Sequence, residues 1–540
     1  MATSYTSEKI AYNNALNLKL FFGNAVANSV GFVFIGNHLP YEDEENPDSI
    51  VSCEYSERRV WENMFAAKKI TENNVELVIP KLLYSNTESF IYRQYDDTIE
   101  LSELVSANAQ QNLKPMYVIN SEGNVYKCLS NNNGSFSLKE PTGDFSTNES
   151  GNIFISEDGY IWKYMYNVSD TNDFQTSNWI PVPTSTGQIG YNSSKTVSID
   201  GEINTIHVTE SGNGYVNSVV TVESFSAACT ILTITANTFN SSNLYYGMGI
   251  QGKGIIGDVF ITSINVESRQ VTISNSSYTA AGGVGNNYSI VTRVVVDGDG
   301  RGFDGSDRMQ AIPVLDPLDG SVQQIIVTED GRDYNYASVL IYGTGSNAAA
   351  RAIVSPKYGH AYNPAKELNA KNVMISMDIG ESGDASESNV ISEFTSYRQY
   401  GLLLNPYKYG ETSPVTYQKA NNVVSQAFEI YLDSGPNFDI DEYVYQGIPL
   451  NPSFIGYVNS RIGDTGLRLT RIKGKPSKSL LLKSAAVPTG RQITVGEVET
   501  DSWKYGYFQP YTGDIVRVEN VEKIQRNEGQ TENIKMIVKF

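Results

Sequence analysis

Sixty Asp and Glu residues stand against forty Lys and Arg in this 540-residue chain, with His38, His207 and His360 as its histidines. Glycoside hydrolysis needs two carboxylates roughly 5 to 10 Å apart in a cleft. Sixty acids make such a pair easy to supply, but no segment singles one out. Glu42-Asp43-Glu44-Glu45 lies between Pro40 and Pro47. Clustered carboxylates can bind Ca²⁺, yet no Asp-x-Asp-x-Asp-Gly spacing surrounds these, and a solvated acidic loop is expected. Asp297-Gly298-Asp299-Gly300-Arg301-Gly302 comes nearer to a metal loop. Arg301 stands where a third oxygen ligand belongs and no Glu follows at the right distance, so a turn is expected. The Gly-x-Gly spacings within residues 246–255 invite a phosphate-binding reading, but no helix pattern follows them and no Gly-Lys-Ser/Thr is present. His360 has the chemistry of a ligand or base. It has no Asp, Ser or Cys partner close by in sequence, and a hydrogen-bonded structural role is expected.

Cys53, Cys128 and Cys229 are widely spaced, without a Cys-x-x-Cys, which suggests neither a disulfide framework nor a cysteine metal site. The residues therefore single out no catalytic, cofactor-binding or metal-binding group. The chain is expected not to be an enzyme, with its acids dispersed and no cleft pairing a buried carboxylate with a base. A net charge of -20 repels nucleic acid and anionic membrane, so neither is an expected partner. No apolar run approaches the ~20 residues of a membrane helix, and Met1-Ala2-Thr3-Ser4 opens no signal peptide. Folding in a reducing cytoplasm is the expectation.

The elements are mostly strands. Thirty-five Tyr, 45 Gly and many Asn and Ser suit short strands joined by tight turns, and the length implies three or four domains. Residues 116–119 and 125–129 form a hairpin pattern around Gly123. Asp158-Gly159 then turns the chain into a ribbon in which Tyr160, Trp162, Tyr164, Tyr166 and Val168 alternate with Ile161, Lys163, Met165 and Asn167. A period of two puts the large residues on one sheet face, as in a half-buried sheet. Residues 30–35 read as a buried strand. Residues 56–69 carry Val60, Trp61, Met64, Phe65 and Lys68 at helical spacing, with Ser56 as N-cap. Residues 7–20 show only scattered Ile10, Leu16, Leu18 and Leu20. Asn363 and Pro364 open a short helix through Glu367 and Leu368.

Between residues 199 and 356 an internal repeat appears: Ile206-His207-Val208-Thr209-Glu210-Ser211-Gly212 recurs as Ile325-Ile326-Val327-Thr328-Glu329-Asp330-Gly331. The two copies should pack as related parts of one β-module, with Gly212 and Gly331 in turns that need φ > 0. A nested unit of about residues 225–292 sits inside it, and residues 407–490 suggest a small barrel.

Several segments carry a resemblance. Val125-Tyr126-Lys127-Cys128-Leu129 with Asp158-Gly159-Tyr160-Ile161-Trp162-Lys163-Tyr164-Met165-Tyr166 resembles a baseplate wedge protein of T-even-type contractile-tailed bacteriophages. So do Gly31-Phe32-Val33-Phe34-Ile35-Gly36, Val60-Trp61-Glu62-Asn63-Met64 and Val78-Ile79-Pro80 early in the chain. Residues 397–406 and 513–540 resemble it late in the chain. The matches are short, keep the family's order and cover roughly the first 180 residues and about 100 more. Residues 199–356 and 407–490 have no counterpart in shorter members.

The resemblance implies a structural subunit, dimeric within each wedge around a central hub. It also implies contact with other wedge proteins and a part in the rearrangement at sheath contraction. It places the protein in the virion, in the tail baseplate, assembled in the host cytoplasm. A receptor-binding or carbohydrate-binding tail adhesin, using Tyr245, Tyr246 and Tyr278, is the alternative. The expected fold is mainly β, a multi-domain β-sandwich core with a few short helices and inserted small β-modules. The expected division is core 1–190, insert 199–356, core 357–406, barrel-like insert 407–490 and closing core strands 491–540. Residues 160–168 should then share a core or sheet with strands of residues 373–404 and 534–540. Replacing the second insert by a short linker should change stability by only ~1 kcal/mol.

Overall fold

A computed structural model of the chain describes residues 8–23, 30–47, 50, 53–85, 90–95, 113–142, 153–168, 173–184, 198–226, 230–274, 285–302, 304–306, 308–379, 390–391, 395–412, 423–527 and 532–540. Cys229 and Tyr278 lie outside the described residues. The fold is mainly β, with few helices and with antiparallel sheets apart from the short parallel pair Ile91–Tyr92 and Leu113–Lys114. The chain forms two compact units, residues 1–79 with 370–540, and residues 80–369.

The first unit is built on a five-stranded antiparallel sheet in the order Val423–Ser425, Met64–Lys69, Gly31–Gly36, Ser396–Leu404, Asp514–Gln525. Gly31–Gly36 is buried along its whole length, which a continuous apolar run permits and an alternating one would not. Phe32 and Phe34 join Val60, Trp61, Met64, Leu403 and Phe508 in one core. Gly401 lies opposite Phe34 across the pair of strands. A Cβ there would stand 2.3 Å from the Arg517 carbonyl oxygen and 2.5 Å from the Phe34 ring. Gly401→Val should therefore cost about 1–3 kcal/mol by overpacking. Urea unfolding monitored at this unit checks it, and an unchanged midpoint would refute the close approach.

Three further strands, Val75–Pro80, Asn372–Asp378 and Asn533–Lys539, pair antiparallel about the middle one. The helix Glu8–Gly23 packs on Asn372–Asp378. Its buried face is Ala11, Tyr12, Ala15 and Phe22, while Ile10 and Leu20 are exposed. Two alanines carry little hydrophobic signal, which is why the sequence shows no clear helical stripe there.

The expected helix over residues 56–69 is corrected. The helix is Glu54–Asn63 behind Cys53, and residues Met64–Lys69 are a strand. Met64, Phe65, Ala66 and Ala67 are all buried in that strand, paired with Gly31–Gly36. A partner strand satisfies their backbone groups, and tertiary pairing overrides the local period.

Residues Phe428–Tyr431, Tyr443–Ile448, Asn451–Ile462, Gly466–Gly474 and Trp503–Lys504 form a second sheet of this unit. Bridges Tyr445–Lys483, Leu482–Arg491 and Leu432–Ile493 close it into a small barrel around Ile430, Phe438, Val444, Phe454, Leu467 and Leu469. It continues beyond residue 490, because Ile493 and Trp503 complete its core.

The second unit contains the aromatic meander. Tyr117–Ile119, Asn124–Ser130, Ile161–Asn167 and Ile153–Ile155 pair in that order. Tyr126, Cys128, Tyr160, Trp162 and Tyr164 share one core, and the alternation seen in sequence sets that face. The expectation that residues 160–168 share a sheet or core with strands at 373–404 and 534–540 is corrected, since those strands belong to the first unit. Val75–Pro80 and Asn372–Asp378 are direct partners, with Val78 opposite Asn372.

In the repeat module Ile203–Asn213 lies between Val322–Glu329 and Ser346–Val354, with Ile206 directly opposite Ile325. Equivalent residues of the two copies thus face each other, as a local twofold relation requires. Gly212 has φ +57 and sits where a Cβ would meet the Ala348 nitrogen at 2.4 Å. The expected turns are corrected for both glycines: Gly212 lies within the strand Ile203–Asn213, and positive φ is not found at Gly331. It lies in the short strand Gly331–Arg332 with the Tyr334 ring 2.7 Å from where a Cβ would be, so it is required by ring packing and not by φ.

The nested unit spans residues 218–291 as a six-stranded sheet. Gly249 bridges to Phe260 and closes it around Val222, Leu232, Met248, Ile261, Val271 and Tyr288.

Candidate functional site

The face of the meander opposite its aromatic residues carries two lysines. Lys127 and Lys163 are directly opposite each other on Asn124–Ser130 and Ile161–Asn167, and both are fully buried. Lys127 Nζ donates to Glu367 Oε2 at 2.9 Å and to His360 Nδ1 at 3.1 Å, and lies 3.8 Å from the centre of the Tyr95 ring. The Tyr95 and His360 rings meet edge to face at 4.8 Å.

Glu367 ends the helix Pro364–Glu367, which forms where expected: Pro364 presets the first turn, and Asn363 accepts from the Lys366 amide at 3.0 Å. Gly359, at φ +90, lets this segment approach the Ile199 backbone, where a Cβ would stand at 2.4 Å. Close to Lys163 lies Glu202, whose amide donates to Ser355 Oγ at 2.9 Å and whose Oε1 accepts from Asn204 Nδ2 at 3.1 Å.

Burial, and then the Lys127 charge, hold His360 down at about 3, so the ring is neutral. Its Nδ1 accepts from Lys127, leaving the proton on Nε2. Burial alone would raise Glu367, but Lys127 and the His360 hydrogen bond bring it to about 2. Burial lowers Lys163 against the pull of Glu202, and burial raises Glu202 to about 7 against Lys163. The cluster is thus one firm ion pair beside a neutral imidazole, with burial pushing Lys163 and Glu202 each toward its uncharged form. A base held neutral to about pH 3 is poorly matched to proton abstraction near neutrality.

A buried carboxylate does stand beside a base, with Glu367 Oε2 3.5 Å from His360 Nδ1. The pair is enclosed, not set in a cleft: His360 is 2% exposed. The sequence signals were a lysine in the middle of each apolar run and a Glu seven residues after His360. Neither identifies its partner without the fold.

The first unit holds a second polar cluster. His38 Nε2 lies 2.7 Å from Thr470 Oγ1 and its Nδ1 2.5 Å from Asp441 Oδ1. Hydroxyl, imidazole and carboxylate follow the order of a nucleophilic triad. Their exposure runs the wrong way: Thr470 is 3% exposed, while the Asp441 side chain reaches solvent. The hydroxyl is closed to a substrate.

Around it Arg398 donates to the His38 carbonyl oxygen and, through Nε, to both Glu44 oxygens at 2.9 Å. Arg471 donates to Asn63 at 2.7 Å and Asn37 at 3.1 Å. The cluster joins the barrel, through Asp441, Thr470 and Arg471, to the sheet. The acidic loop is therefore not wholly solvated, because Glu44 is held by Arg398.

Asp299 accepts from the Asn335 amide at 2.9 Å, the Tyr336 amide at 3.3 Å and the Asn335 side chain at 3.0 Å. Asp297 pairs with Arg308, and Arg301 with Asp333. The acids of this loop are engaged in holding its turn, and among the described residues no His, Cys, Asp and Glu group is arranged to hold a metal ion. In the Gly-x-Gly stretch Gly249–Gly252 is a barrel strand, and Tyr245 and Tyr246 are exposed beside it. His207 lies in the central strand of the repeat module. A groove of about 330 Å³ runs between the nested barrel and its parent module, lined by Ile250, Asp258, Arg293, Val295, Arg308 and Ala311. Asp258 and Arg293 pair across it at 2.7 Å.

No family model matches this chain, and no curated protein does.

Proposed function

We propose that the chain is a structural subunit of a phage tail baseplate wedge. It would pair with a second copy, join neighbouring wedge proteins and take part in the rearrangement at sheath contraction. The observation that carries this reading is convergence. The segments that resemble the wedge family are scattered over the chain, yet Gly31–Gly36, Ser396–Leu404 and Asp514–Gln525 are consecutive neighbours in one sheet. Val60, Trp61 and Met64 pack in the same core. The two remaining long segments, in Asn124–Ser130 and Ile161–Asn167, pair with each other. Chance matches have no reason to fall on paired strands.

Solvent-exposed apolar tips add to it: Leu450 is 98% exposed beside Ile448 on one hairpin, and Leu318 is 95% exposed on another. Such residues suit burial in an assembly. A receptor-binding adhesin is the second reading, favoured by exposed Tyr245 and Tyr246. A cryo-EM map of the tail decides between them. Two copies in each wedge around the hub are expected, and density at a peripheral fibre tip would overturn the assignment.

A further inference from the structure

The hairpin of Tyr443–Ile448 and Asn451–Ile462 forms one wall of the small barrel in the first unit. Val444, Gln446, Phe454 and Val458 are buried and point inward, so strand alternation turns Tyr443, Tyr445, Ile455 and Tyr457 outward, where each is half-buried. Tyr443 lies directly opposite Tyr457, and Tyr445 opposite Ile455, which gathers the four side chains in one outer patch. We propose that this patch, with Lys473 and Lys483 at its two edges, is a binding site for an acidic oligosaccharide, a run of sugar rings bearing carboxylate or phosphate.

Strand register sets the two lysines. Lys473 lies opposite Ile455 in the neighbouring strand Gly466–Gly474, and Lys483 bridges to Tyr445 on the other side of the hairpin. Directly opposite residues of an antiparallel pair share a face, so one row across the barrel wall reads Lys473, Ile455, Tyr445, Lys483. Among the described residues neither ammonium group has an ion-pair or hydrogen-bond partner, whereas Lys475 is held by Glu499 at 2.9 Å. Between Asp464 and Glu497 the chain carries only basic charges, Arg468, Arg471, Lys473, Lys475, Lys478, Lys483 and Arg491, although its net charge is -20. Positive charge concentrated on one element of an acidic chain suits an anionic ligand.

The rings decide the class of anion. Tyr443 and Tyr445 stack with centroids 6.0 Å apart and planes 26° apart, and Tyr457 meets Tyr443 edge to face at 5.3 Å. Arg471, committed to Asn63 and Asn37, backs the Tyr457 ring at 5.9 Å. A sugar ring can lay its C–H face on such a surface while its hydroxyls reach the three phenol groups, none of which has a hydrogen bond among the described residues. The hairpin carries no charge between Glu442 and Arg461, so the centre of the patch offers stacking and hydrogen bonding, and the charges stand at its edges. A nucleic acid, charged at every phosphate, is repelled at long range by the rest of this acidic chain. An oligosaccharide with an acid on only some of its rings meets the two lysines with far less repulsion elsewhere.

Calorimetric titration of the purified full chain at about 0.15 M salt tests this. Alginate oligosaccharides, which carry carboxylate, or the phosphate-bearing core oligosaccharide of lipopolysaccharide should bind, and neutral dextran should not. The two acidic probes separate a carboxylate ligand from a phosphate one. Lys473→Gln with Lys483→Gln should weaken the binding about tenfold, and Tyr445→Ala by about as much. Tyr246→Ala, on the nested unit, should leave it unchanged. If the variants do not fold, acetylation of the unaltered chain decides, since bound oligosaccharide should shield Lys473 and Lys483 from the reagent. Failure of both acidic probes to bind would overturn the proposal, as would binding that survives the lysine and tyrosine variants or labelling that the ligand leaves unchanged. Tighter binding of poly-glutamate or of oligo-dT would overturn it too, by giving the patch to an acidic protein or to a nucleic acid. The wedge assignment rests on other strands and stands or falls separately.

Discussion

Glu367→Gln should lower the stability of the second unit by about 3–5 kcal/mol, the usual consequence of leaving one member of a buried ion pair without its partner. Lys127 is fully buried and donates to the Glu367 carboxylate at 2.9 Å. The neutral His360 and the Tyr95 ring do not replace a full negative charge. Adding Lys127→Met should recover most of the loss, since removing both charges also removes both desolvation costs. Thermal unfolding and hydrogen exchange of the amides in Asn124–Ser130 measure it. A single variant as stable as the parent would show that the pair contributes nothing.

The same cluster sets a pH dependence. His360 is held to about 3 in the folded chain and takes up a proton near its ordinary 6.5 when unfolded. The unfolded state thus binds more protons between those values, and stability falls as pH drops from about 6.5 towards 3. Glu367, at about 2 against an ordinary 4.5, acts with the same sign: its contribution is full above about 4.5 and is lost as pH falls towards 2. Glu202, raised to about 7, acts with the opposite sign, and its contribution is lost as pH rises from about 4.5 through 7. His360→Gln should flatten the acid limb, and an unchanged limb would exclude His360 as its source.

Replacing Phe428–Lys504 with a short Gly/Ser linker should destabilise the first unit by several kcal/mol. The loop-closure change itself is only ~1 kcal/mol. The barrel, however, supplies the Thr470 and Asp441 partners of His38 and the Arg471 partner of Asn63 and Asn37. His38, Asn37 and Asn63 are buried, and each polar group left unpaired there costs about 1–3 kcal/mol. The five-stranded sheet should still form, because its strands Gly31–Gly36, Ser396–Leu404 and Asp514–Gln525 lie outside the deletion. Adding His38→Leu to the deletion should restore part of the loss. A deleted chain as stable as the parent would show that the polar joint carries no energy.

The meander was legible from the residues because its information is local. Tyr160, Trp162 and Tyr164 alternate with smaller or polar neighbours, and a strand has only two faces on which to put them. The repeat was legible for the same reason, in that two copies of Ile-x-Val-Thr-Glu end opposite each other at Ile206 and Ile325. The short helix at Pro364–Glu367 followed from Asn363 and Pro364 alone. Residues 64–69 were not legible, because their periodicity suits a helix and only the edge offered by Gly31–Gly36 makes them a strand. Gly331 was misread by analogy with Gly212, since nothing local announces that the Tyr334 ring will lie against it.

Composition and pattern by themselves determined a mainly β, acidic chain of short strands and tight turns, with an internal repeat and a hairpin-based aromatic core. Those properties depend on side-chain period and on turn residues, which act over a few positions. Tertiary structure alone decided where the chain divides and what its buried charges do. The division follows from Val78 lying opposite Asn372, a pairing across almost 300 residues that no local rule predicts. The clusters around Lys127 and His38 likewise join residues hundreds of positions apart, 240 for Lys127 to Glu367 and 403 for His38 to Asp441. A charge can be buried only where its partner arrives, and the partner's arrival is a property of the folded chain.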